Sequence, residues 1–157
     1  MEKFSNKLKQ GITTIEVVFG VAIMGLVVVF TISTLGLFFT TSHEVLNKTQ
    51  ALYLAEEGME LLRFKRDQNW NNIDTLTLGN QYYLKINVTS ISILNTPEIF
   101  DGTFTRSFRL EAVERDSDGD IVDSGTVDDN SRYAIFEVSW PTGSTTLTSV
   151  ITDLHGI

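Results

Sequence analysis

Glu16 is the acid in this sequence whose surroundings demand chemistry. It is the only formal charge between Lys9 and Glu44. It sits one helical turn inside an apolar stretch whose core, Val17 to Phe39, is 23 uncharged and mainly apolar residues. An ionised acid at the centre of a bilayer-spanning helix is disfavoured by about 2.5 to 3.5 kcal/mol, and by less near an interface, so such a residue normally has a partner or a function. Two outcomes suit Glu16: a positive charge brought to it, or water and Lys9 at the headgroup level. A second cluster is Asp116-Ser117-Asp118-Gly119-Asp120, followed by Asp123, Asp128 and Asp129, read as one loop. Hard cations need several oxygens at about 2.3 to 2.6 Å, which makes Asp116, Asp118 and Asp120 candidate ligands for Ca²⁺. The EF-hand spacing is not met, because Gly119 comes early and no Glu occupies the twelfth position. The simpler reading is a turn whose Asp side chains cap their own backbone, and no cofactor is required.

No catalytic constellation emerges. His43 and His155 stand alone, the first just outside the apolar run and the second in the tail, and there is neither a G-x-S-x-G motif nor a phosphate-cradling glycine loop. The sequence contains no cysteine, which removes disulfides, thiolate zinc sites and a cysteine nucleophile together. An enzyme is therefore not expected.

The elements that position these residues can be read from periodicity. A helix of 23 residues rises about 1.5 Å per residue and so crosses the roughly 30 Å hydrocarbon layer. A secretory signal would be shorter and followed by a small-residue cleavage site, which Thr40-Thr41-Ser42-His43-Glu44 does not supply. Lys3, Lys7 and Lys9 precede the run, so the positive-inside rule places the amino end in the cytoplasm and the remainder outside. Past His43 charges return while Val45, Leu46, Leu52, Met59 and Leu62 keep near-helical spacing, predicting an amphipathic continuation of the helix to about Asp67. Gly58 is read as a packing accommodation and Trp70 as a plug where helix meets head.

Beyond Asn72 the period shortens. Leu84, Ile86 and Val88, then Phe108, Leu110 and Ala112, then Ala134, Phe136, Val138 and Trp140 alternate with other residues, and Thr145 to Leu154 forms a fourth run. These predict strands of an antiparallel meander with one buried face. A sheet of this kind must cover that face, and the apolar stripe of the helix can do so, giving an α+β head.

A chain of 157 residues has room for one compact domain plus one long element. Its net charge is -8; the segment up to Gly11 carries three lysines against one glutamate, so the rest carries -10. Phosphate backbones repel such a surface, and Lys/Arg clusters are lacking, so the head is not expected to bind nucleic acid.

The order Lys9-Gln10-Gly11, Ile12-Thr13-Thr14-Ile15-Glu16, then Val17 onward resembles the type IV prepilin family: a basic leader ending in Gly, Glu at the fifth mature position, and an apolar helix. Leu54-Ala55-Glu56-Glu57-Gly58-Met59-Glu60-Leu61-Leu62-Arg63, with Arg66-Asp67-Gln68-Asn69-Trp70, resembles a block found in a subset related to minor pilins and pseudopilins. The resemblance covers roughly the first 70 residues. It departs from many members in having Ile12 where they begin with Phe or Met, and from major pilins in having Ser33 where a helix-bending Pro is common.

The resemblance implies cleavage between Gly11 and Ile12 by a prepilin peptidase and methylation of the new amine on Ile12. It implies that Glu16 meets the amine of a neighbouring subunit. The implied organisation is a leader at 1–11, a membrane and filament-core helix at 12–42, its amphipathic continuation at 43–70 and an exported β-rich head at 71–157. Partners would be the peptidase, other pilin or pseudopilin subunits, an inner-membrane assembly platform and membrane lipid. The location would be the cytoplasmic membrane and then an extracytoplasmic filament. A competing reading is a single-pass anchor carrying an extracytoplasmic binding or sensor module with its leader retained. Pilus and secretion pseudopilus, and major and minor subunit, stay open alternatives.

Overall fold

The computed structural model describes residues 13–87 and 90–154. The leader lysines, Gly11, Ile12, Val88 and His155 lie outside the described residues. The chain divides into two compact units, Met1–His43 and Glu44–Ile157.

In the first unit the chain forms the amino-terminal part of helix α1 (Thr14–Gln68). The hydroxyls within the apolar run are turned back on the helix itself. Those of Thr31, Ser33 and Thr34, with that of Thr40 just beyond, donate to the carbonyls of Val27, Val29, Phe30 and Gly36 at 2.8 to 3.0 Å, which satisfies these donors in an apolar surrounding. Every described residue from Thr13 to Leu46 is exposed.

The second unit begins within α1. Its carboxyl end carries Lys65 and Arg66, which suit the negative end of the helix dipole, and Asn72 Nδ2 donates to the Lys65 carbonyl at 3.0 Å. A single turn, α2 (Asn71–Asp74), follows. Strands β1 (Tyr83–Asn87) and β2 (Ser90–Leu94) pair as a separate antiparallel hairpin. The main sheet holds β3 (Ile99–Phe100), β4 (Phe104–Arg115), β5 (Ile121–Val122), β6 (Thr126–Trp140) and β7 (Gly143–Thr152), in the order β3-β4-β6-β7 with β5 beside β4. All its pairings are antiparallel. The protein is thus α+β, a long amino-terminal helix followed by an antiparallel sheet.

The core lies between one face of α1 and one face of the main sheet. Ala51, Ala55, Met59 and Leu62 are buried with Phe108, Leu110, Phe136 and Val138, and the Phe108 and Phe136 rings stack at 5.2 Å. Gly58 lies on the same helical face, and a Cβ there would fall 2.6 Å from Phe136 Cε1. Its lack of a side chain is what lets the aromatic ring meet the helix backbone.

Four expectations need correction. Val45, Leu46 and Leu52 are exposed, Val45 by 59%. The face that packs is built of Ala51, Ala55 and Gly58 with Met59 and Leu62, because small residues let the sheet's aromatics approach. Ile86 is exposed while Leu84 is buried; the hairpin joins β4 through a bridge between Tyr82 and Phe108 and meets the core through Leu84 and through Ile91 and Ile93 of β2. Ala112 is only half-buried and Val113 is fully buried, since the β4–β6 register shifts between Ala112 and Glu114 and the bulge reverses the alternation. Asp128 and Asp129 belong to β6 and not to a loop with Asp116.

Candidate functional site

Glu16 lies in the first turn of α1 as described. The amides of Glu16 and Val17 donate to the Thr13 carbonyl at 3.0 and 3.3 Å, which puts Glu16 at the positive end of the helix dipole. That is worth about 0.3 to 1 kcal/mol, which offsets part of the cost of an acid at the end of an apolar run, a cost below the roughly 2.5 to 3.5 kcal/mol of the bilayer centre. Among the described residues no salt bridge or side-chain hydrogen bond reaches its carboxylate. Gly11 and Ile12, the expected cleavage and methylation positions, lie outside the described residues.

On its carboxyl side Glu16 is followed by a mainly apolar helix surface. Ile15, Val17, Val18 and Phe19 through Phe38 and Phe39 present large apolar side chains outward, and an 18-residue window reaches a mean hydropathy of 2.6. This is one helix long and apolar enough to cross a membrane. Gly20, Gly25 and Gly36 have nothing within 4 Å of where a Cβ would stand.

The most constrained polar group in the head was not singled out by sequence reasoning. Arg106 is only 1% exposed and follows Phe104 and precedes Phe108 in the core phase of β4. Its Nη1 donates to the Leu54 carbonyl at 3.0 Å and to Glu57 Oε2 at 3.1 Å, both on α1. Its guanidinium lies 4.6 Å from the Phe100 ring centroid. Nε and Nη2 are buried with no hydrogen-bond partner among the described residues. Burial therefore pulls its pKa below the ordinary value, with Glu57 and more weakly Glu98 opposing. The signal was available: a cation at an even step of the Phe104, Phe108, Leu110 alternation must point inward. A smaller clamp joins Arg132 to Asp74 at 2.7 Å, with Trp70 half-buried beside it.

The acidic turn is organised by its own backbone. Asp116 Oδ1 accepts the amides of Asp118 and Asp120 at 3.0 and 2.9 Å, and Gly119 takes φ +88, a left-handed value that favours glycine. Arg115 then ties the turn down. Its Nη1 donates to the Gly119 carbonyl at 2.9 Å and its Nε to Asp128 Oδ2 at 2.7 Å. The Arg115 hydrogen bond, aided by Ser131, lowers the Asp128 pKa to about 2. Among the described residues no group of three or more His, Cys, Asp or Glu is gathered to hold a metal ion. Asp116, Asp118 and Asp120 share a turn in which the Asp116 carboxylate already accepts two amides.

Comparison with family models, curated proteins and solved structures finds no match to this chain.

Proposed function

We propose that this chain is a type IV pilin-like subunit, a minor pilin or pseudopilin whose work is assembly and not turnover. In this reading prepilin peptidase cuts between Gly11 and Ile12 and methylates Ile12. The subunit waits in the cytoplasmic membrane with its head outside, and then enters a filament through the apolar part of α1.

One observation carries the reading: a lone carboxylate, Glu16, at the amino end of a helix whose apolar side chains from Ile15 to Phe39 are all exposed. Hydrocarbon of that extent needs lipid or other helices around it, and an acid beside it needs a cation. The freed amine of Ile12 on a neighbouring subunit would answer both at once. Within a filament, helix packing would keep Val17 to Phe39 from water while the charge pair fixes axial register. An α+β head on the same helix suits such a subunit. Neither calcium nor nucleic acid is needed.

The test is processing followed by assembly. Intact mass should begin at Ile12 with one added methyl group in the wild type and should retain the leader in Gly11→Ala. Glu16→Gln protein should be cleaved normally yet be recovered in sheared filaments at about a tenth of the wild-type level or less, as expected when a desolvated charge pair worth more than about 1.4 kcal/mol is removed. Wild-type protein with an intact leader would favour the membrane-anchored binding module instead, and normal filament entry of Glu16→Gln would remove the charge pairing from the account.

A further inference from the structure

The main sheet ends in an edge that natural proteins usually protect. Strand β7 is last in the order β3-β4-β6-β7 and so has a neighbouring strand on one side only. It runs ten residues, Gly-Ser-Thr-Thr-Leu-Thr-Ser-Val-Ile-Thr, with no charge and no proline. Edges of this length are ordinarily blunted by lysines, prolines, bulges or shortness, as the opposite edge is by the two residues of β3. The β6–β7 register continues without a shift from Trp140↔Gly143 to Ser131↔Thr152. Beyond it the Asp153 amide donates to the Asn130 carbonyl at 2.8 Å. By the antiparallel alternation, odd-numbered residues of β7 bond to β6, and Ser144, Thr146, Thr148 and Val150 aim their amides and carbonyls outward.

Beside this edge runs a groove of about 270 Å³ between β7 and α1, lined on the strand by Leu147, Thr148 and Ser149 and on the helix by Glu56, Glu60 and Arg63. Arg63 is already held, at 2.6 Å by Glu60 and at 3.3 Å by the Ser149 hydroxyl. Glu56 is exposed and forms no salt bridge among the described residues. A free strand edge flanked by a helix is the geometry in which an extended peptide adds a strand: backbone bonds supply affinity, and alternate side chains enter the groove. Here those side chains would meet a helix wall on which Arg63 offsets Glu60 and Glu56 is left as the unpaired acid, on a molecule of net charge -8.

We infer that β7 and the α1 groove form a strand-addition site for an extended, basic segment of another polypeptide, with its Lys or Arg side chains turned toward Glu56 and Glu60. Charge decides the occupant. A second copy of this acidic chain would bring like charge to the same place. The strand-addition site draws on neither Glu16 nor filament entry, so it holds or fails independently of the assembly reading.

Full-length protein in detergent micelles, titrated with a labelled peptide of about ten residues alternating valine with lysine, tests the site. Binding read by fluorescence anisotropy should be at least about tenfold tighter than for the matching valine–glutamate peptide. Hydrogen exchange of the Ser144, Thr146, Thr148 and Val150 amides should slow on binding. Thr148→Pro, which deletes one outward donor and leaves the β6 ladder intact, should weaken binding about tenfold with the head's melting temperature nearly unchanged. Equal affinity for the two peptides, unchanged exchange at the four amides in wild-type protein, or a β7-dependent dimer in sedimentation that the lysine peptide does not disrupt would each overturn the inference. The exchange readout needs no variant and so survives any misfolding of Thr148→Pro.

Discussion

Helix α1 carries the same backbone through two regions that use side chains in opposite ways. From Thr14 to His43 the large apolar residues all face outward and the glycines touch nothing. From Glu44 to Gln68 the buried face joins the small Ala51, Ala55 and Gly58 to the larger Met59 and Leu62, while Val45, Leu46, Leu52 and Tyr53 face out. Apolar content therefore does not say which part of a helix is packed within the chain. What marks the packed part is a run of small residues opposite aromatic partners, since close approach of helix and sheet needs room at the contact.

The comparison is broken most forcefully at the glycines. Gly58→Ala places a Cβ 2.6 Å from a ring carbon of the fully buried Phe136. Overpacking costs about 1 to 3 kcal/mol, and the gain of about 1 kcal/mol in helix propensity leaves a net destabilisation of up to about 2 kcal/mol, seen as a fall of several degrees in the melting temperature. Gly25→Ala meets open space and should leave that transition where it was. Equal effects of the two substitutions would mean that Gly58 is not a contact point.

A finer probe is the buried cation that ties the packed half of α1 to β4. Glu57→Gln keeps an acceptor oxygen but removes the negative charge nearest Arg106, leaving the weaker attraction of Glu98, the Leu54 carbonyl and the Phe100 ring to balance the buried cation. It should cost about 1 to 2 kcal/mol, reduced from buried-pair values because the Glu57 side chain is 48% exposed. Arg106→Met removes the buried charge together with two unpaired nitrogens, and should cost less than Glu57→Gln or stabilise the head. Denaturant melts of both variants give the order directly, and the reverse order would show that the guanidinium contributes net stability.

The smallest effect should arise away from the helix. Asp128 has its pKa lowered from 3.8 to about 2 by Arg115. A depressed carboxylate contributes stability in full above its unfolded pKa and loses it as pH falls through the folded value, here between about pH 4 and pH 2. Part of the pair is open to water, so about 1 kcal/mol is expected. Asp128→Asn should lower stability by that amount at pH 7 and flatten the acid limb of a pH titration of unfolding within that window. A wild-type acid limb that persists unchanged in the variant would assign it to other carboxylates.

The long helix was legible because a 23-residue apolar run has no other stable form, and the strands around Phe108 and Phe136 because alternation with a period of two survives in most of β4 and β6. The short strands β2, β3 and β5 were missed. The two residues of β3 and of β5 carry too little pattern, and β5 is held only by its pairing with β4; the alternation of Ser90-Ile91-Ser92-Ile93 in β2 was there to be read. The acidic residues looked like one loop because sequence proximity cannot tell a turn from the strand that returns past it; Arg115 pairing with Asp128 shows the return.

Glu16 and its apolar neighbours could be judged from residue type alone, since the cost of a charge beside hydrocarbon depends on the medium and hardly on tertiary detail. Which face of α1 is buried, where β4 changes phase, and why an arginine can lie in the core were decided only by the tertiary structure. Each depends on distances between segments far apart in the chain: the missing Cβ of Gly58 against Phe136, the bulge at Val113, and the Leu54 carbonyl and Glu57 within reach of Arg106.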